Sequence, residues 1–284
     1  ESKHQKKFEA SDVIVVGDYF YAICDNSWAI ERISTQLTPY SAYNVQVGDP
    51  DRESEDSGYE AIFHDDVTNT FYVVRVEEVR IDGNDYEVLR SCPSEMEFSG
   101  SSKGFEGAVG LKDAKGELYM LGLCEGNFCD EGKRGRVKGH GEVVLMQFVD
   151  GTKDNVGAHH GCMWKTIRYL KIPATAHFQD YSAITINRNG RVAVASQEES
   201  KVWLGQLTHV DNGVFDPVKS EFVDEKVLNF PRDSNCEVVY CNIEGIHWVS
   251  DELLVGVSDK MKSNGKQPFR CLEKDQSIHM FVMP

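Results

Sequence analysis

The sequence has little proline, no long apolar run and no excess of basic residues. Proline accounts for 8 of the 284 residues. No apolar run approaches the roughly 18 residues that a membrane-spanning helix needs, so we expect no membrane insertion. Acidic residues outnumber basic ones by 46 to 30, which gives a formal net charge of −16. This charge argues against nucleic acid as a partner, because binding to phosphate backbones depends on Lys and Arg.

Several common functional motifs are also missing. The sequence has no G-x-S-x-G, no G-x-x-x-x-G-K-[S/T] and no N-x-[S/T]. These absences argue against a serine hydrolase of the usual α/β type, a nucleotide-binding P-loop and a standard N-glycosylation site. No segment of about 12 residues shows the apolar spacing of an amphipathic helix, which favours an all-β protein.

Cysteine is plentiful by comparison. The chain has 8 cysteines and begins at Glu1 rather than at Met, which indicates either a processed mature form or a trimmed chain. An even number of cysteines in a processed chain predicts disulfides and an extracellular, secreted protein. We expect local pairs between Cys124 and Cys129 and between Cys236 and Cys241. Zinc is the alternative, and its candidate ligands are Cys124, Cys129, His159, His160 and Cys162.

One pattern recurs along the chain: an apolar strand, a turn, a second apolar strand and then acidic or amide residues. Five copies occupy residues 11–26, 59–78, 105–127, 181–199 and 243–260. The gaps between them are long enough for two more strands each. Four strands repeated in this way are typical of a β-propeller. We therefore predict one domain over residues 1–284, with five four-stranded blades and six as the alternative.

The last copy is followed by a single further strand, at residues 277–284. Residues near Lys6 to Ala10 are expected to supply the missing outer strand. The ring would then be closed by pairing between the N- and C-terminal strands.

Carboxylates recur where first strands begin and second strands end. Glu60, Glu106 and Glu244 stand at first-strand starts, and Asp259 follows a second strand. Because successive strands of a blade run in opposite directions, all these positions should lie on one face. Such an oxygen-rich ring suits a hard cation such as Ca²⁺. The alternative is a structural ring in which the carboxylates accept hydrogen bonds from backbone N–H groups.

Basic residues and one histidine fall in the same loops. Lys103, Arg136 and Lys260 are candidates for binding an anionic ligand, and His177 is a candidate general base beside the expected mouth. The alternative for the basic residues is that they form solvated ion pairs of small energetic value.

The motifs IEGIHWVSDELLVGVSDK (243–260), FEGAVGLKDAKGELYMLGLCEGN (105–127) and KDQSIHMF (274–281) resemble those of calcium-dependent β-propellers. That group includes gluconolactonases, organophosphate hydrolases, esterase-like phytases and SdiA-regulated proteins. The resemblance implies Ca²⁺ in the central channel. By matching positions, it implies that the metal ligands are Glu60, Glu106, Asn127, Glu244 and Asp259.

Three functions follow from these observations. The first is a secreted calcium-binding propeller that hydrolyses an ester, lactone or phosphoester, with Glu106, Glu244 and Asp259 as catalytic residues. The second is a non-catalytic extracellular propeller that binds carbohydrate or protein. The third is a glycosidase or lyase with two carboxylates across the channel. The expected partner at the channel mouth is a small molecule or a glycan.

Overall fold

The computed structural model describes residues 8–38, 41–53, 55–74, 77–96, 104–124, 129, 138–151, 161–260, 271 and 274–284. The elements in these ranges are β-strands. The innermost strands of the sheets are β1 (Ala10–Val16), β5 (Ala61–Asp65), β9 (Phe105–Asp113), β13 (Ala183–Ile186) and β19 (Ile243–Ser250). The other strands are β2 (Tyr19–Cys24), β3 (Ser27–Ser34), β4 (Val45–Val47), β6 (Thr70–Val74), β7 (Glu77–Asp82), β8 (Asp85–Ser91), β10 (Leu118–Cys124), β11 (Glu142–Asp150), β12 (Cys162–Lys171), β14 (Arg191–Ser196), β15 (Lys201–Leu207), β16 (Val210–Asp211), β17 (Val214–Phe215), β18 (Phe222–Asn229), β20 (Leu253–Ser258) and β21 (Ser277–Val282).

These strands form a five-bladed β-propeller, as the repeats predict. Four sheets contain four antiparallel blade strands, and the fifth contains β19, β20 and β21 among the described residues. The blade strands are consecutive in the chain except in the fourth blade, where β18 follows β15. The third sheet gains β16 and β17, a hairpin that belongs in sequence to the fourth blade. The six-bladed alternative is therefore wrong.

The inner strands pack side by side in the order β1, β5, β9, β13, β19 and back to β1. A separate apolar cluster fills each of the five interfaces between neighbouring blades. One of them closes the ring by packing Val13 and Phe20 of the first blade against Val255 and Val257 of the last. Inner strands read as continuous apolar runs because neighbouring blades cover both of their faces.

Glycine is needed where inner strands of neighbouring blades approach most closely. A Cβ atom on Gly245 of β19 would lie 2.5 Å from the Cα atom of Asp12 in β1. A Cβ atom on Gly107 of β9 would lie 3.0 Å from the backbone nitrogen of Ile184 in β13. Each of these glycines follows a glutamate, Glu106 or Glu244, in a pair that we call the E-G motif. The glycine of both E-G motifs therefore serves the contact between blades.

Three disulfides are present in the structure. Cys124 pairs with Cys129, as predicted, and Cys92 pairs with Cys162, which joins the ends of outer strands in the second and third blades. The predicted Cys236–Cys241 pair is wrong, because Cys241 pairs with Cys271 and leaves Cys236 as an exposed thiol.

These pairings have two consequences for the predictions. The zinc alternative is also wrong, because it needs thiolates at cysteines that are disulfide-bonded. Three disulfides are consistent with an extracellular protein.

The first and last blades meet where the ring closes. Ala10 belongs to the inner strand β1 rather than to an outer strand, and residues 1–7, on which the predicted closing strand depends, lie outside the described residues. No helix in the described part of the chain is long and apolar enough to cross a membrane.

Candidate functional site

A cavity of about 870 Å³ runs along the propeller axis, with walls from all five inner strands. Its deep end is a ring with one residue from each inner strand: Asp12, Ile62, Ala108, Ile184 and Ile246. From this ring the walls follow the strands toward their first hairpin turns. The lining is almost equally polar and apolar, and its charged groups are concentrated at the turns, which we call the turn-side mouth.

Asp12 at the deep end joins two blades. Its carboxylate accepts hydrogen bonds from the N–H groups of Val13, at 2.8 Å, and Ile62, at 3.0 Å. Burial raises the pKa of Asp12 well above its usual range, although both hydrogen bonds act in the opposite direction. A role in linking β1 to β5 accounts for this carboxyl group.

Asp65 and Lys112 form an ion pair at the turn-side mouth, with 2.6 Å between Lys112 Nζ and Asp65 Oδ1. Asp65 also accepts hydrogen bonds from Thr68 Oγ1 and the Val67 N–H. Burial raises the pKa of Asp65, but the bonds to Lys112, Thr68 and Val67 outweigh it, so the net pKa lies below its usual range. The pair is therefore ionised and fixes a charge of each sign at the mouth.

A second ion pair crosses the mouth. Arg188 lies in the β13–β14 turn of the fourth blade, and its Nη2 atom is 2.9 Å from Oδ2 of Asp66 in the second blade. The third blade lies between the two, so this pair, which we call the strap, spans the opening. The hairpin β16–β17 supports it, because the Gly213 N–H donates to the Arg188 carbonyl at 2.7 Å and Val214 pairs with Lys112 of β9.

His247 of β19 also lines the channel. It lies deep in the molecule, and desolvation lowers its pKa to about 4, so the imidazole is neutral at physiological pH. No hydrogen-bond partner among the described residues reaches its ring nitrogens. The next residue, Trp248, lines the same channel and has a buried Nε1 atom without a hydrogen-bond partner in that part of the chain.

The carboxylates singled out in the sequence lie at the opposite ends of the inner strands. Glu60 directly precedes β5, Glu106 is the second residue of β9 and Glu244 is the second residue of β19, and all three are partly buried. None of them lines the cavity. Asn127, Lys103 and Arg136 lie outside the described residues.

The predicted common face is nevertheless real. Ala10 pairs with Cys24 and Ile243 pairs with Ser258, so starts of first strands lie beside ends of second strands. Within the described ranges, however, no group of three or more His, Cys, Asp or Glu side chains is arranged to hold a metal ion.

Asp259 belongs to a small acidic cluster at the closure of the ring. Lys260 Nζ is 2.5 Å from Glu9 Oε2. Burial, together with the charges of Asp25 and Glu9, raises the pKa of Asp259 to about 6, while a hydrogen bond from the Lys260 N–H and its charge oppose the shift. One oxygen of Asp259, Oδ1, is buried without a hydrogen-bond partner in the described structure. Lys260 is thus an ion-pair partner within this cluster.

His177 is exposed in the loop before β13 and packs against Gly139, where a Cβ atom would lie 2.1 Å from Nδ1. Nearby, Asp180 accepts hydrogen bonds from the Ser196 hydroxyl, at 2.6 Å, and from the Gln197 N–H, at 3.0 Å. Asp180 is an example of the structural ring that was predicted as the alternative to a metal site. Its carboxylate accepts hydrogen bonds from a side-chain hydroxyl and a backbone N–H at the end of β14.

The residues that line the cavity are not among those that the sequence singled out. The signal that could have found them is the position of polar residues at first hairpin turns, such as D-D at 65–66 and N-R-N at 187–189. Those residues look like ordinary turn formers, since Asp and Asn favour turns anyway.

No protein-family model matches the chain, and no curated protein matches it. Among solved structures, it is similar to virginiamycin B lyase from Staphylococcus aureus, in a catalytically inactive variant with quinupristin. That similarity has 12% identity, a TM-score of 0.37, and coverage of 98% of this chain and 71% of that one. A streptogramin B lyase structure shows 6% identity and a TM-score of 0.35 over 100% of this chain and 72% of that one.

Hsv2 of Kluyvelomyces marxianus shows 10% identity and a TM-score of 0.34, over 87% of this chain and 63% of that one. These neighbours are β-propeller proteins. Similarity at this level carries no argument about what the present chain binds or catalyses.

Proposed function

We propose that this chain is an extracellular binding propeller that holds a small molecule with an apolar body and polar end groups in its central channel. The observation that carries the proposal is the cavity of about 870 Å³ whose walls come from all five inner strands. Pockets for small molecules have volumes of about 300–1,000 Å³, with apolar walls and a few placed polar groups. The three disulfides support the extracellular location.

The chemistry of the walls favours binding over catalysis at this site. Asp12 is used in a link between blades, and Asp65 is held by Lys112 and two further donors. Neither carboxylate is available as a nucleophile or base. An apolar body lying along Val109 and Val249 would leave polar end groups at the deep histidine or at the mouth.

The experiment uses N-phenyl-1-naphthylamine, a neutral dye that becomes fluorescent in apolar surroundings. We expect saturable binding to the wild-type protein and a loss of at least tenfold in affinity in Val109→Trp and in Val249→Trp, which fill the channel from two different blades. Val218→Trp is the matched control, because Val218 is 76% exposed and does not line the cavity. Equal binding by all four folded proteins, checked by circular dichroism, would contradict the proposal.

A second candidate function is the calcium-dependent hydrolase implied by the family resemblance. The observation that favours it is the unpartnered, buried Oδ1 atom of Asp259, beside Asp25 and Glu9, on the face where the resemblance implies the metal. A calcium ion bound there would polarise a substrate oxygen or activate a water molecule. Glu106, Glu244 and Asp259 would be its catalytic residues.

Thermal unfolding in EGTA and then in excess Ca²⁺ tests this candidate. At a hundredfold excess over Kd, binding to the folded state adds about 2.7 kcal/mol. For 284 residues this corresponds to a rise in Tm of about 4 °C. The rise should disappear in Asp259→Asn and persist in Glu225→Gln, an exposed control on β18. An equal Tm in EGTA and in excess Ca²⁺ would contradict this candidate function, and the carboxylates would then have structural roles.

A further inference from the structure

The charged side chains that line the turn-side mouth do not balance among the described residues. Two ion pairs, Asp65–Lys112 and Asp66–Arg188, each join one carboxylate to one basic group. Asp251 lies in the β19–β20 turn of the fifth blade and lines the cavity as well. No described Lys or Arg side chain lies within ion-pair distance of its carboxylate. Asp251 therefore holds the unbalanced negative charge of this mouth.

Two amides of the neighbouring blade hold the Asp251 side chain in place. Asp251 Oδ1 accepts hydrogen bonds from Asn187 Nδ2, at 2.8 Å, and from Asn189 Nδ2, at 3.5 Å. Asn187 is itself fixed, because its Oδ1 atom accepts from the backbone N–H groups of Asn189 and Arg191. Amides donate hydrogen bonds but carry no charge. Both bonds end on Oδ1, so Oδ2 keeps its capacity to accept a hydrogen bond from a ligand.

Arg191 approaches the same turn, but its guanidinium is used elsewhere. It donates to the backbone carbonyl oxygens of Asp251 and Pro284. It also lies over the indole ring of Trp248, 4.9 Å from the ring centroid. Arg191 is not among the residues that line the cavity. The Asp251 carboxylate is thus the charged group of this turn that faces the opening.

This arrangement restricts the end group of a ligand whose apolar body lies along the channel wall. Val249 is two residues before Asp251 on the same strand, so the two positions are about 7 Å apart along β19. A body in contact with Val249 would bring its end group to the Asp251 carboxylate. An anionic group would be repelled there, whereas an ammonium has three donors, no acceptor and the complementary charge.

We propose that the channel ligand is an apolar amine, and that Asp251 binds its ammonium group at the turn-side mouth. This inference rests on the proposed function and names the class of molecule that the channel accepts. Asp251 is then a residue that determines specificity. The apolar part of the walls holds the body of the ligand whatever its end group is, and the carboxylate distinguishes an amine from an alcohol of the same shape.

The test measures displacement of N-phenyl-1-naphthylamine by 1-naphthylmethylamine, which is protonated at pH 7, and by 1-naphthalenemethanol. The quantity compared is the ratio of their two affinities in each variant, so that the hydration of the probes cancels. An exposed ion pair contributes up to about fivefold in affinity. We therefore expect the ratio of amine to alcohol to fall about three- to fivefold in Asp251→Asn. Asp251→Lys should lower the ratio further.

Glu252→Gln is the matched control, because it removes the same charge at the next position. Glu252 is exposed and does not line the cavity, so its ratio should equal that of the wild-type protein. An unchanged ratio in Asp251→Asn, or an equal fall in Glu252→Gln, would overturn the inference while leaving channel binding intact. Absence of dye binding by the wild-type protein would instead overturn the proposed function, and this inference with it.

Discussion

Replacing Gly245 by alanine tests whether the E-G motif exists for close contact between blades. A Cβ atom at this position would lie 2.5 Å from the Cα atom and 2.8 Å from the carbonyl carbon of Asp12. Both are backbone atoms of β1, which is held in register by its pairing with β2. No rotamer change can relieve such a clash, so β1 and β19 must move apart where the ring closes.

The size of the effect follows from this geometry. Overpacking a well-packed interior costs about 1–3 kcal/mol, and a clash against backbone belongs at the upper end of that range. Unfolding of 284 residues carries an entropy of about 0.6 kcal/mol/K, so a cost of about 3 kcal/mol lowers Tm by about 5 °C. Gly107→Ala should be milder, because its nearest contact is 3.0 Å.

Differential scanning calorimetry measures both changes, and Gly104→Ala is the matched control. Gly104 is the glycine that shortly precedes β9, and a Cβ atom there would have no neighbour within 4 Å. The Tm of Gly104→Ala should stay close to that of the wild-type protein. If Gly245→Ala melts at the same temperature as Gly104→Ala, the explanation of the motif by close approach is refuted.

Three further predictions concern acid stability, thiols and the strap. Because the pKa of His247 is lowered to about 4, the unfolded state binds the extra proton first. The contribution of His247 to the free energy of unfolding is fully present above pH about 6.5. It declines toward pH 4, by up to about 1.4 kcal/mol per pH unit. Denaturant titrations at several pH values should show that the free energy of unfolding falls less between pH 6.5 and pH 4 in His247→Leu than in the wild-type protein. Without reductant, a thiol reagent should label Cys236 on the native protein and Cys24 only after unfolding, and labelling of Cys241 instead would contradict the assigned disulfides. Stopped-flow entry of the neutral dye should be up to about fivefold faster in Asp66→Asn, and the exchanged pair Asp66→Arg with Arg188→Asp should restore the slow rate.

The fold could be predicted from the sequence because each blade repeats a local signal. In β1 and β2, apolar runs flank Gly17, which has a φ of +60°, and this is a hairpin signal that needs no long-range information. Outer strands such as β18 could be located for a similar reason, since their exposed faces keep polar residues. Five such units imply a closed ring, because an inner strand buried on both faces needs a neighbouring blade on each side.

The candidate site could not be predicted in the same way. Arg188 and Asp66 are 122 positions apart in the sequence, and only the closed ring brings them together. The same limit applies to Cys241, whose partner Cys271 is 30 residues away while Cys236 is near in sequence. The spacing in the sequence favours the local pair Cys236–Cys241, but the folded blade places the sulfur atom of Cys241 beside that of Cys271.

The E-G motif shows how one short pattern can carry two separate roles. Its glycine has a packing role that the contact between Gly245 and Asp12 explains, so the recurrence of the pair is by itself no argument for a metal. The carboxylate half can be tested separately, because Glu244→Gln leaves the glycine contact intact and Gly245→Ala leaves the carboxylate in place. If Ca²⁺ raises the Tm of the wild-type protein but not of Glu244→Gln, the glutamate has a role in metal binding beyond its place in the motif. If Ca²⁺ changes the Tm of both proteins by the same amount, Glu244 has no role in metal binding. The glycine of the motif is then explained by close contact between blades, and the glutamate has a structural role at the start of the strand.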